Sequence, residues 1–366
     1  MTKNMIFTPP AHPWPSDCDH DAIVLIGRMQ PGMHLGHQEL LERGLERAEN
    51  VVVALGSCFR ARSPKQPLRA VEREASIRSC LTDEQNRRVK FVYIRDYYDD
   101  QRWCAAVREG VQSVTGKNAK IGLIGHEKDR SSYYLHRFPE WKLFNELCVG
   151  GLNGTDVRAL WFERDHERGA EAVLRTMLPE GTFDFLMAFK KLPDFESLRK
   201  QHYAILRDAE KWKAAPHVPN HSCGDAVAEF RDHVLLIERG GDIGTGTFAW
   251  PGGFLEPDET VIECAMRELI EETKLGILPE YLKTFIRDRE LFDNPWRSEA
   301  GRRMSHAFHF VLDEAFAELS EGEFPFVQGK SDARRALWLP KKKLPSLEEY
   351  MFEDHHLIGD RFFHYA

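Results

Sequence analysis

Two clusters of residues in this chain have the types and spacing to do chemistry. The first is His34-Leu35-Gly36-His37, reached through Gly27-Arg28-Met29-Gln30-Pro31-Gly32-Met33. Histidines three apart at a helix start share one face, and a helix N-terminus offers its amides to phosphate. Two imidazoles facing a polyphosphate donate hydrogen bonds to charge that develops during transfer. The second is Gly253, Glu259 and Arg267-Glu268-Leu269-Ile270-Glu271-Glu272. Five residues separate Gly253 from Glu259, and seven separate Glu259 from Arg267. On a helix from Glu259 to Thr273, Glu268, Glu271 and Glu272 fall within about 100° of one another. Crowded carboxylates repel, and a hard divalent cation, Mg2+ or Mn2+, resolves the conflict. Glu259 and Arg267 fall away from that cluster and are expected to support the loop. Taken singly, the first cluster also reads as a capped helix start and the second as an acidic surface helix.

These residues need elements to hold them. Ala22-Ile23-Val24-Leu25-Ile26-Gly27 is a short apolar run ending in glycine, as strands buried on both faces do. A helical pattern follows from about Gly36 to Ala48, then a second such run, Val51-Val52-Val53-Ala54-Leu55-Gly56. Helix is expected over Glu72 to Leu81 and Trp103 to Val114, and strand over Lys90 to Ile94 and Lys120 to Gly125. Alternating strands and helices imply a parallel sheet with ligands at the strands' carboxyl ends. Asn153-Gly154-Thr155-Asp156-Val157-Arg158 marks another helix start, where Thr155 can cap and Arg158 can present a guanidinium to phosphate. From about Glu163 to Trp212 the text turns charged and helical. Ala214 to Pro219 is a break, and beyond it lies a β-rich part with one inserted helix. Ile262, Ala265, Met266 and Leu269 form that helix's apolar stripe. The expected organisation is an extension over 1–21, a domain over 22–190, a helical linker over 191–219 and a second domain over 220–366.

The HxGH motif combined with Asn153-Gly154-Thr155-Asp156-Val157-Arg158 resembles the nucleotidyltransferase superfamily. The wording around it narrows the resemblance to archaeal-type nicotinamide mononucleotide adenylyltransferases. The segments that carry this are Gly27-Arg28-Met29-Gln30-Pro31, Ala61-Arg62-Ser63-Pro64-Lys65-Gln66-Pro67 with Glu72-Arg73, and Gly125-His126-Glu127-Lys128-Asp129-Arg130 with Ser131 to Leu135. The resemblance covers about Ala22 to Phe189. It implies a Rossmann-like domain in which the mononucleotide phosphate attacks the α-phosphorus of ATP. It gives the triphosphate to Arg28, His34, His37 and Arg158, supported by Gly27 and Thr155, with Lys65 as a phosphate contact and Asp129 orienting substrate. Mg2+ accompanies ATP. One departure is that Gly32-Met33 stands where the family usually has a single aromatic.

The second cluster, preceded by Trp250-Pro251-Gly252-Gly253-Phe254, is similar to the Nudix hydrolase box. That resemblance covers about Asp225 to Phe363 and implies an α/β/α domain with a mixed sheet. The implied reaction is attack of water on a diphosphate, assisted by Mg2+ or Mn2+ held on Glu268, Glu271 and Glu272, with Glu271 and Glu272 catalytic. Lys274 replaces the box's late glycine, and Gly276 is expected to take over the turn. Phe292 to Ser298, Gly301 to His306, Asp332 to Pro340 and Phe352-Glu353-Asp354-His355-His356 resemble Nudix domains fused to this adenylyltransferase, which suggests ADP-ribose as substrate. Arg297 is a candidate for its phosphates.

Composition limits the alternatives. The 366 residues are 42% apolar and 30% charged, enough for two globular domains. The net charge of −8 argues against nucleic acid and membrane surfaces as partners. No apolar run approaches the ~20 residues of a membrane span. Met1 to Asp21 lacks the basic start and apolar centre of a signal peptide. Seven dispersed cysteines without a CxxC pair fit reduced thiols in a cytoplasm. A homo-oligomer is compatible with this composition. The leading expectation is a bifunctional enzyme of NAD metabolism using ATP, nicotinamide mononucleotide and ADP-ribose. The alternatives are a Nudix part acting on NADH, NAD or dinucleoside polyphosphates, or a non-catalytic ADP-ribose sensor. Such a sensor should have lost box carboxylates, which are present here.

Overall fold

The computed structural model describes residues 20–127, 130–147, 151–163 and 167–365. Its contacts divide the chain into two compact units that interleave in sequence. The first takes the described residues up to Cys58, then Glu74–Gly154 and Arg175–Phe183. The second takes Phe59–Arg73, Thr155–Leu174 and Asp184–Ala366.

In chain order the strands and helices begin β1 (His20–Gly27), α1 (Leu35–Arg47), β2 (Ala48–Cys58), α2 (Ala70–Arg78), α3 (Asp83–Arg88), β3 (Val89–Arg95), α4 (Asp100–Thr115), β4 (Ile121–Gly125) and β5 (Lys142–Asn145). The five strands form one all-parallel sheet in the order β3-β2-β1-β4-β5. Side chains alternate across a strand, and β1 uses both faces. Ala22, Val24 and Ile26 pack with Cys104, Val107 and Val111 of α4. Ile23 faces the other way, where Gly44 lets α1 approach so closely that a Cβ there would stand 3.1 Å from Val51 and 3.4 Å from Ile23. The continuous apolar run in the sequence is thus a strand covered on both sides. The strand order reverses beside β1, which places the open crevice at the carboxyl ends of β1 and β4.

The middle of the chain is helical: α5 (Gly154–Phe162), α6 (Glu167–Met177), α7 (Glu180–Phe189) and α8 (Pro193–Lys211). Trp161 and Phe162 of α5 are fully buried and pack on Phe195 of α8 with ring centroids 4.8 and 5.6 Å away. The span 191–219, expected as a helical linker, holds α8, and its start is packed against α5. Its Gln201 is buried and accepts a hydrogen bond from Gly244 N at 3.2 Å.

The rest of the second unit contains β6 (Asn220–Phe230), β7 (His233–Arg239), β8 (Phe248–Ala249), β9 (Gly252–Phe254), α9 (Val261–Thr273), α10 (Pro279–Leu282), β10 (Ile286–Phe292), β11 (Arg302–Val311), β12 (Ala333–Pro340) and α11 (His355–Phe363). The sheet is mixed, in the order β10-β11-β6-β7-β12 with β8 on β7 and β9 on β6. β11 and β6 are parallel and the other pairs antiparallel. Ala265, Met266 and Leu269 of α9 join Ala226, Ala228 and Phe308 in the core on one face. Ile358 of α11 joins Val227, Leu236 and Trp250 on the other. That is the α/β/α layering expected for this part.

Two local details differ from the sequence expectation. Helix α9 opens at Val261, not Glu259, because Thr260 caps it: Thr260 Oγ1 accepts from Glu263 N, and the Glu263 carboxylate accepts from Thr260 N at 2.8 Å. At the other end Lys274 itself adopts the left-handed conformation, φ 57°, and donates its N–H to Ile270 O at 2.9 Å. Gly276 does not take over the turn, since it stays outside the left-handed region. A lysine there costs about 1 kcal/mol relative to glycine.

Candidate functional site

In the first unit, β1 ends at Gly27 and the chain crosses the carboxyl edge of the sheet to α1. His34 is the N-cap residue, and its carbonyl accepts from His37 N at 2.9 Å and Gln38 N at 3.1 Å. The imidazoles of His34 and His37 stack with centroids 3.7 Å apart and planes 22° apart, so the spacing does put them on one face. Gly36 makes the stack possible: a Cβ there would lie 3.3 Å from two atoms of the His34 ring. The pair Gly32-Met33 is absorbed without disturbing this start. Met33 is fully buried, and Gly32 lies where a Cβ would meet Thr182 at 2.7 Å. Arg28 is exposed at the sheet edge, with its side chain passing over Gly56 at the end of β2. An exposed guanidinium and two stacked imidazoles at a helix start can hold and neutralise a polyphosphate.

In the second unit, α9 lies directly on β6, where a Cβ on Gly224 would stand 2.7 Å from Ala265 N. Gly253 of β9 faces the helix, while the α-carbon of Gly252 faces Asp225 of β6 and only its amide reaches the helix. Gly252 N donates to Glu272 Oε2 at 3.0 Å, and a Cβ on Gly253 would sit 2.1 Å from Glu268 Oε1. Burial, reinforced by the charges of Glu268 and Asp332 against the Gly252 N–H, pushes the Glu272 carboxyl up to about 8. Burial and the charges of Glu271 and Glu259 also raise Glu268, against Arg267.

Arg267 does not stay apart from the carboxylates as its angular position implies. It forks onto Glu259 through Nε at 2.9 Å and Nη2 at 2.7 Å, and its Nη1 reaches Glu268 at 2.8 Å and Glu271 at 3.3 Å. These bonds hold the Glu259 carboxyl down at about 2. The long arginine stem bridges what the helical wheel separates. Among the described residues no group of three or more His, Cys, Asp or Glu side chains is arranged to hold a metal ion as it stands. The donor set is nevertheless all carboxylate oxygen, and Arg267 supplies the positive charge that Glu268 and Glu271 share.

Comparison with known proteins places both units. The nicotinamide/nicotinic acid mononucleotide adenylyltransferase of Acinetobacter baylyi is 34% identical over 185 residues, covering 50% of this chain and 94% of that protein. The ADP-ribose pyrophosphatase of Methanocaldococcus jannaschii is 32% identical over 154 residues, covering 42% of this chain and 79% of that protein. The NUDIX domain family model matches residues 224–359. The crystal structure of a bifunctional NMN adenylyltransferase/ADP ribose pyrophosphatase from Francisella tularensis, complexed with AMP and a Mn ion, superposes with a TM-score of 0.84. It is 29% identical, and the match covers 94% of this chain and 99% of that one. The chain belongs to the bifunctional NMN adenylyltransferase–Nudix pyrophosphatase family.

The remaining site candidates take the following places. Of the adenylyltransferase candidates, Thr155 lies within the first turn of α5, and its hydroxyl accepts from Arg158 Nη2 at 3.0 Å. Lys65 holds its ammonium 5.8 Å from the Trp296 ring, and its N–H donates to Glu299 at 3.0 Å. Asp129 lies outside the described residues. In the Nudix part Arg297 is 4% exposed and forks onto Asp354 through Nε at 2.9 Å and Nη2 at 2.8 Å. With Asp354 at 0% exposure, this is a closed ion pair in the interior. Sequence reasoning did not single out Asp225. Its carboxyl is buried beneath Gly252, where a Cβ would meet Oδ1 at 2.1 Å, and accepts from the Ser305 hydroxyl. Burial pushes it up to about 6, against the nearby Arg297. Only the pairing of β6 with β9 brings Asp225 to the glycine loop.

Proposed function

We propose that this chain makes NAD from nicotinamide mononucleotide and ATP in its adenylyltransferase part and hydrolyses ADP-ribose to AMP and ribose 5-phosphate in its Nudix part. The observation that carries the reading is the presence in one chain of the stacked His34–His37 start and the intact α9 carboxylates. In the first reaction a phosphate oxygen of the mononucleotide bonds to the α-phosphorus of ATP. The bond from that phosphorus to the bridging oxygen breaks, and pyrophosphate leaves. Arg28, His34, His37 and Arg158 hold the triphosphate and meet the charge that grows on the leaving group, while Gly27 leaves room at the strand end. Lys65, Asp129 and Thr155 serve as supporting contacts. Positioning and charge stabilisation account for the rate, with no covalent intermediate.

In the second reaction Glu268, Glu271 and Glu272 would hold a divalent cation, Mg2+ or Mn2+. When bound, it supplies positive charge to the diphosphate and acidifies water. Glu271, the exposed member, accepts the proton of the attacking water. Arg267 then keeps Glu259 and the loop carbonyl of Phe254 in place. Arg297 acts from the interior through Asp354, holding the loop that follows β10. The domain limits we propose remain 22–190 and 220–366, with α8 between. We place the enzyme in the cytoplasm, in keeping with Cys58, Cys80, Cys104, Cys223 and Cys264 as thiols outside any disulfide. Among the described residues no helix is long and apolar enough to cross a membrane.

The cation assignment has a pH signature. A carboxyl pushed up to about 8 keeps its proton over most of the working range. A cation must displace that proton, so binding tightens as pH rises. The half-saturating Mn2+ concentration for hydrolysis is expected to fall about tenfold per pH unit from pH 6 towards 8 and to level above it. Before the cation binds, the folded state holds this proton where the unfolded state has lost it. Glu272 therefore costs stability as pH rises from the ordinary carboxylate range to about 8. A pH-independent Mn2+ requirement would contradict the assignment. The substrate assignment is tested by product analysis across ADP-ribose, NADH, NAD and dinucleoside polyphosphates. Preference for any of the last three would overturn it.

A further inference from the structure

The segment Glu353-Asp354-His355-His356 is engaged with the loop that enters the Nudix box. Met351 bridges Phe248, and Phe352 N donates to Phe248 O at 2.7 Å, so the residues that lead into the segment run alongside β8. His355 then closes a two-point lock on Trp250. Its Nδ1 meets Trp250 N at 3.0 Å, and its carbonyl accepts from Trp250 Nε1 at 2.8 Å. Two residues further on, Gly252 N donates to Glu272, and between them Pro251 O accepts from Ala226 N at 2.8 Å.

We propose that His355 is a positioning residue for the Nudix reaction, fixing Trp250-Pro251-Gly252 so that the Gly252 amide orients the Glu272 carboxylate. The tautomer follows from chemistry. A main-chain N–H only donates, so Nδ1 must present its lone pair, and the proton sits on Nε2. The imidazole must also stay neutral, because a protonated ring has no acceptor to offer. Its surroundings enforce this. Burial, with Arg297, Arg239 and His356 as the charged or titratable neighbours, holds His355 well below the usual histidine range. The ring is thus a fixed acceptor about one loop away from a cation ligand, and it touches no reacting atom. The inference rests on the hydrolase reading of the Nudix part.

The geometry makes the test selective. An asparagine places its amide oxygen where Nδ1 stands, whereas a glutamine places it one bond further out, where Nε2 stands. In the full-length chain, His355→Asn is expected to keep kcat for ADP-ribose hydrolysis and the Mn2+ dissociation constant within about threefold of wild type. His355→Gln is expected to lower kcat and weaken Mn2+ at least about tenfold, the scale of residues that orient ligands, with KM little changed. The Mn2+ site counted is the one that Glu272→Gln abolishes in a calorimetric titration. This separates the proposal from the reaction, since Mn2+ binding is read without substrate. Equal behaviour of the Asn and Gln variants, both near wild type or both damaged with normal thermal unfolding, would overturn the proposal. If a variant fails to fold, nitrogen NMR of histidine-labelled wild-type protein decides instead. A lone-pair Nδ1 at His355, unmoved between pH 6 and about 8, supports the role, and a protonated Nδ1 overturns it.

Discussion

Replacing His37 with alanine is expected to lower NAD synthesis by about 100-fold or more while leaving ADP-ribose hydrolysis within about twofold of wild type. The expectation follows from where the ring stands. It stacks on His34 at 3.7 Å at the opening of α1, and α1 follows the central strand of a parallel sheet at its carboxyl edge. Removing it takes away one proposed donor and releases its neighbour, so both contacts proposed for the polyphosphate weaken together. The fold should survive, because His37 is only partly buried and α1 is anchored by Leu41, Gly44 and Leu45. Hydrolysis should survive because α9 belongs to the other unit. Both rates are read on the same preparation. A folded His37→Ala protein with unchanged synthesis would remove this histidine from the phosphate site.

Glu272→Gln is the complementary change. Hydrolysis is expected to fall by more than the about 10–100-fold typical of residues that only orient a ligand, with NAD synthesis unaffected. Glutamine preserves the shape and can still accept from the Gly252 amide. What it lacks is the charge that a cation would recruit, at a buried position where a neutral group is otherwise comfortable. The variant should therefore be at least as stable as wild type above neutral pH, even as it loses activity. Glu259→Gln should be milder. Glu259 precedes α9 and is occupied by Arg267, so its loss frees the guanidinium without touching the three carboxylates proposed to hold the cation. Glu259→Gln costing as much as Glu272→Gln would mean that the metal set includes Glu259. Release of AMP, followed with circular dichroism, distinguishes these outcomes.

The difference between what the sequence disclosed and what it hid is one of range. The run from Ala22 to Gly27 announced a strand covered on both faces, and HxGH announced two rings on one face, because both depend on neighbours within one turn or one strand. The helix that carries Glu268, Glu271 and Glu272 was legible for the same reason. The start of α9 was misplaced because Thr260 and Glu263 compete with Glu259 for the role of helix opening, and the reciprocal cap wins. Arg267 was placed by the direction of its Cα, but its reach is set by a flexible stem several ångströms long. Arg297 was hidden more completely. Its chemistry suits phosphate, yet Asp354, 57 residues away, claims it inside the core. Asp225 gave no local signal at all, and His355 stood out only as part of Phe352-Glu353-Asp354-His355-His356, with no role of its own legible there. The first matters because β9 pairs with β6, and the second because Met351 and Phe352 pair with Phe248.

The most direct measurement is product analysis of one purified full-length chain, supplied in one vessel with nicotinamide mononucleotide, ATP and Mg2+ and in another with ADP-ribose and Mn2+. Two active sites in a single chain predict NAD and pyrophosphate in equal amounts from the first, and AMP and ribose 5-phosphate in equal amounts from the second. Formation of NAD with no cleavage of ADP-ribose at any Mn2+ concentration, or cleavage with no NAD formed, would contradict it.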